Sequence, residues 1–146
     1  MQRLRSLRDR STVTRAAFAG PACEMRVQQL GGCFVVRLEG EIDIFSVSRV
    51  QERLCGLADL DYVVVDSNPA RFDTALARAL RVAGQRARLH GRVMCVAGPR
   101  DVVEGLLEQA EADGDLEYYP DVADAVESAL AARKRHGQAT PDNRPA

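Results

Sequence analysis

The 146-residue chain has only two histidines, and this sets the first limit on its chemistry. His90 closes a helical pattern beside Gly91 and reads as a helix-end cation. His136 lies in the polar C-terminal stretch, so no Ser–His–Asp or Cys–His constellation can be assembled. Neither G-x-x-x-x-G-K-[ST] nor G-x-G-x-x-G occurs, which excludes nucleotide binding by those phosphate loops. No His/Cys/Asp cluster has metal-ligand spacing, and no cofactor is expected. Without about 18 consecutive apolar residues there is no expected membrane span. The Arg-rich start has no secretory apolar core. It shares the acid-poor composition of a transit peptide, but a cytoplasmic protein is the expectation. One lysine accompanies nineteen arginines, which reads as codon usage. The net charge of −1 argues against a dedicated nucleic-acid binder.

What the chain does have is ordinary globular composition, at 46% hydrophobic and 28% charged residues. Its length suits one domain that buries roughly 68–70% of its unfolded surface. The four cysteines (Cys23, Cys33, Cys55, Cys95) form no C-x-x-C pair and mostly sit in apolar patterns. They read as buried reduced thiols, with a redox pair as the alternative. Residues 1–21 read as a flexible basic arm, residues 22–132 as the folded domain, and residues 133–146 as a disordered polar tail.

Within the domain, "CEMRVQQL" and "CFVVRLEG" flank Gly31–Gly32 as a hairpin. A helix follows, with Ser46 as N-cap and Val47, Val50, Leu54 and Leu57 on its inner stripe. "YVVVD" is a strand buried on both faces, ended by Asp66, with Ser67 as a turn hydroxyl before Asn68–Pro69. Asp73 then caps a helix from Thr74 to Gly91, and "RVMCVAG" is the next buried strand. A helix entered through Pro99 carries Val102, Val103, Leu106, Leu107 and Ala110. A short "LEYY" strand leads to a last helix with Val122, Ala125, Val126, Ala129 and Leu130 inward. The order β-β-α-β-α-β-α-β-α implies an α/β domain. About five strands form a mainly parallel mixed sheet, with the first strand antiparallel and about four helices.

Charge is unevenly distributed. Residues 71–100 hold seven Arg against one acid, Asp73, whereas residues 101–127 hold ten acids and no base. Arg78, Arg81 and Arg88 fall near one face of the helix from 74, opposite Leu76, Leu80 and Ala83. Two readings stand: basic and acidic helices screening each other, or a charge-steered docking face.

The segment "VVRLEGEIDIFSVSRVQERLCGL" resembles the STAS family of anti-sigma-factor antagonists and sulfate-transporter domains. The family's second strand is an apolar run followed by x-G-E/D-x-D, here Leu38, Glu39, Gly40, Glu41, Ile42 and Asp43. The resemblance covers about residues 23–132 and lies in the order of elements. It implies a binding module rather than an enzyme, whose partner is an anti-sigma factor with serine/threonine kinase activity; a phosphatase is a further candidate. The family's regulatory motif, D-S-S-G-L, is phosphorylated on its first Ser or Thr. Its counterpart here is Asp73-Thr74-Ala75-Leu76, lacking the second Ser and the Gly, with the preceding loop about one residue short. The resemblance therefore implies Thr74 as phosphoacceptor, with Ser67 as the alternative, and Asp43, Asp73, Arg78 and Arg81 in partner docking. A divergent unphosphorylated module (a stress-sensing scaffold or lipid-transport accessory) and, more remotely, a small α/β enzyme stay open.

Overall fold

The computed structural model describes residues 13–14, 24–40, 44–67, 74–101 and 104–142. The hairpin forms as expected, from β2 (Glu24–Leu30) and β3 (Cys33–Glu39), antiparallel and closed by the pairing of Leu30 with Cys33. The two-residue loop needs left-handed backbone at both positions, and Gly31 and Gly32 supply it with φ of 57° and 97°. Three parallel strands then follow: β4 (Val63–Asp66), β5 (Met94–Ala97) and β6 (Leu116–Tyr119). Two residues of the expected flexible arm instead form an edge strand, β1 (Val13–Thr14), pairing with Met25 and Arg26 of β2. A β-branched pair beside an open strand edge is well placed to take up its hydrogen bonds. Among the described residues the sheet therefore has six strands in sequential order, β1 to β6.

Alternation along each strand divides the core in two. Val36, Leu38, Val63, Val65, Met94 and Val96 face one cluster, while Cys33, Val35, Val64, Cys95 and Ala97 face the other. The first face is covered by α1 (Ile44–Leu60), α2 (Thr74–Leu89) and α3 (Glu104–Ala112), through Val50, Leu54, Leu57, Leu76, Leu80, Leu107 and Ala110. Monotonic strand order with right-handed crossovers puts three consecutive helices on one side. The second face is covered by α4 (Val122–Asp142) through Ala125 and Ala129. Cys33 and Cys95 are buried free thiols, and burial pushes the Cys95 thiol up to about 12. Cys55 is half-buried, and Cys23 lies outside the described residues.

Some local readings change. Ser46 is the third residue of α1, so it is not the cap. Val102 and Val103 lie outside the described residues. The expected tail from 133 is helical as far as Asp142, continuing α4. Tertiary partners hold its first turn: Arg133 Nε bonds Asp61 Oδ1 at 3.0 Å, and His136 Nδ1 lies 3.3 Å from the Tyr62 hydroxyl.

The backbone of α2 comes close to the segment before β6. A Cβ on Gly84 would run into the Asp115 carbonyl oxygen and sit 2.7 Å from Leu116 Cδ2. Gly84→Ala normally gains helix propensity of about 1 kcal/mol. Here overpacking should outweigh that gain, with a net loss of about 1–3 kcal/mol in urea unfolding. A variant as stable as the parent would show that α2 sits less tightly on the α3–β6 turn.

Candidate functional site

The chain leaves β4 at Asp66 and enters α2 at Thr74, so both candidate hydroxyls lie at the carboxyl end of the sheet. In parallel α/β sheets this end is where loops carry function. The two hydroxyls have opposite environments. Ser67 is 0% exposed. Its backbone N–H and its Oγ both donate to the Ala97 carbonyl at 2.9 Å, lacing the end of β4 to the end of β5. Thr74 is exposed at the first helical position. The positive end of the helix dipole lies there, and Arg78, also exposed, follows one turn later.

The other arginines of α2 do not form an open face with Arg78. Arg81 pairs with Asp113 and, through Nε, with Asp115 Oδ2 at 3.4 Å. Arg88 Nη1 donates to the Asp113 carbonyl at 2.6 Å and to Asp115 Oδ1 at 3.2 Å. Arg86 holds Asp59 of α1 in a two-point contact at 2.8 and 2.9 Å. His90 Nε2 lies 2.9 Å from the same carboxylate, and His90 and Arg86 together hold the Asp59 carboxyl below its usual range. Screening between basic and acidic elements therefore accounts for Arg81, Arg86 and Arg88. Arg78 has no ion-pair partner among the described residues. Asp43 and Asp73 lie outside them.

The sequence reading missed Phe45. It is 74% exposed near the start of α1, which follows β3 at the same end of the sheet. Its signal was available: Phe45 falls off the Val47-Val50-Leu54-Leu57 stripe in a chain that is only 5% aromatic. Among the described residues no His/Cys/Asp/Glu group could hold a metal, and no helix is long and apolar enough to cross a membrane.

The architecture defines a sequentially ordered mixed α/β sheet with three helices on one face and one on the other. The family model for the STAS domain matches residues 24–125, and the chain belongs to that family. Comparison with curated protein sequences gives no match. Among solved structures, an anti-sigma factor antagonist from Mycobacterium paratuberculosis superposes with a TM-score of 0.61 at 16% identity, covering 80% of this chain and 98% of that one. A putative anti-sigma factor antagonist from Thermotoga maritima gives 0.57 at 13% identity, covering 72% and 93%. The Bacillus cell fate determinant SpoIIAA in its phosphorylated form gives 0.56 at 10% identity, covering 71% and 97%. These likenesses carry the fold.

The contrast between the hydroxyls has a stability signature. Ser67→Ala should cost about 0.5–1.5 kcal/mol, because a buried hydrogen bond is lost. Thr74→Ala should stay within about 0.5 kcal/mol of the parent. Equal losses in denaturant titrations would show that the Thr74 hydroxyl is also bound within the fold.

Proposed function

We propose that the chain is a non-catalytic regulatory binding module of the anti-sigma-factor-antagonist type, switched by phosphorylation of Thr74. The observation that carries this reading is the exposure of Thr74 at the first position of α2, while Ser67 is sealed against Ala97. That a protein of this fold exists in a phosphorylated form supports it. The partner is an anti-sigma factor with serine/threonine kinase activity, met in the cytoplasm. It docks around the starts of α1 and α2, with Arg78, Asp43 and Asp73 contributing. Arg81 is left out of that surface because Asp113 and Asp115 already hold it.

The switch is electrostatic. A phosphate adds about −1.5 to −2 charge at pH 7. The helix dipole and Arg78, one turn along, tolerate that charge, so the domain stays folded. What changes is the surface: a partner acid facing Thr74 is repelled, and a like-charge clash of several kcal/mol weakens binding about a hundredfold or more.

Thr74→Glu should therefore weaken binding of the kinase co-purified from native lysate by about a hundredfold. Its circular dichroism and melting curve should match the parent's. Thr74→Ala should bind and resist release by ATP, and phosphopeptide mapping should place the label on Thr74. Label on Ser67 would contradict the assignment. Tight binding without any label would favour a constitutive module, a reading supported by Ala75 and Leu76 where the family motif has Ser and Gly.

A further inference from the structure

At the opposite end of the sheet, before β4 and β5, lies an open cleft of about 370 Å³ lined by Leu60, Asp61, Tyr62, Arg92, Arg133 and His136, with Gly137 at its edge. Its floor is the Tyr62 ring, only 5% exposed. The Arg92 guanidinium lies 5.9 Å from that ring's centroid. The His136 ring meets Tyr62 edge-on with centroids 6.5 Å apart. Burial pushes the Tyr62 phenol up, while the nearby charges of Arg92, Arg135 and Arg133 pull it down. Two guanidiniums, of Arg92 and Arg133, thus line the cleft beside one buried ring.

The facing charges do not balance. Asp61 is the cleft's acid, and its carboxylate already accepts from Arg133 Nε at 3.0 and 3.2 Å and from the Tyr62 backbone N–H at 2.8 Å. Asp59, nearby, is taken by Arg86 and His90. The two guanidiniums that line the cleft against this one paired carboxylate leave it net positive. Donors are spare as well, since a guanidinium offers five N–H groups. Among the described residues Arg92 uses only Nη1, on the Ala58 carbonyl at 2.7 Å, and Arg133 only Nε.

We propose that this cleft binds a small phosphate monoester, its oxyanion held by Arg92 and Arg133 and its organic body lying along Leu60 and Tyr62. A phosphate monoester carries close to two negative charges at pH 7, and each of the two lining guanidiniums can meet part of that charge. A carboxylate brings only one charge and two acceptor oxygens. Planar guanidiniums suit two-point recognition of phosphate. The volume, within the usual range for small-ligand sites, leaves room beyond the phosphate itself. The cleft lies across the sheet from Thr74, so the two sites can be tested separately.

The test uses the full chain and the probe phenyl phosphate, with inorganic phosphate, benzoate and chloride at equal ionic strength, read by calorimetry and thermal shift. Phenyl phosphate should bind saturably and raise the melting temperature, and benzoate and chloride should not. Arg92→Gln and Arg133→Gln should each weaken it about tenfold, whereas Arg37→Gln, in β3 and outside the cleft lining, should not. Arg133 is exposed and its ion pair with Asp61 contributes little to stability, so that variant stays informative if Arg92→Gln folds poorly. Saturable binding of inorganic phosphate as tight as that of phenyl phosphate would keep the oxyanion site and overturn the ester assignment. No saturable binding, an equal response to benzoate, or affinity unchanged in both arginine variants would overturn the proposal.

Discussion

A buried carboxylate fixes the helix on which the functional reading depends. The Asp115 side chain is 3% exposed, between the end of α3 and the start of β6. An ion so placed is strongly destabilising unless its charge and lone pairs are met. Arg81, Gln85 and Arg88 meet them, all from α2. Gly84 lies among them and lets the helix backbone come down onto the Asp115 carbonyl. On its other side α2 holds Asp59 of α1 through Arg86, with His90 just beyond the helix end. The helix is tied to both neighbours over its second half.

One face of its first half is what stays outward. Thr74 and Arg78 lie on the part of α2 that these ties leave at the surface. A charge placed on Thr74 meets a helix whose position is already determined, so it is read as surface potential rather than as a change of shape. The other end of the sheet has a different electrostatic character. There α4 brings Arg133 and His136 to Asp61 and Tyr62, and positive charge accumulates over a cleft.

Much of this architecture was legible because it is written in short-range periodicity. The alternation of Val63, Val64 and Val65 between two core clusters is the behaviour expected of a strand buried on both faces. The glycine pair at 31–32 announced its turn, and the apolar stripes of α1, α2 and α4 announced their buried faces. The site was less legible, because its decisive features are long-range. Nothing near Ser67 in the chain reveals that the Ala97 carbonyl, 30 residues away, will take its hydroxyl. The block of Arg and the block of acids left pairing and docking both open, and only the fold shows that Arg81 and Arg88 are paired while Arg78 has no ion-pair partner among the described residues. The polar composition after 132 suggested disorder, whereas Arg133 finds Asp61 across 72 residues.

The most direct test of the central claim, that α2 is locked by Asp115 with Arg78 standing outside the lock, is a pair of double-mutant cycles in urea unfolding. Arg81→Gln and Asp115→Asn should couple by about 0.5–3 kcal/mol, as residues sharing a buried network do. Arg78→Gln should be nearly neutral and additive with Asp115→Asn. Additivity of the first pair, or coupling of Arg78 to Asp115 as strong as that of Arg81, would contradict the account.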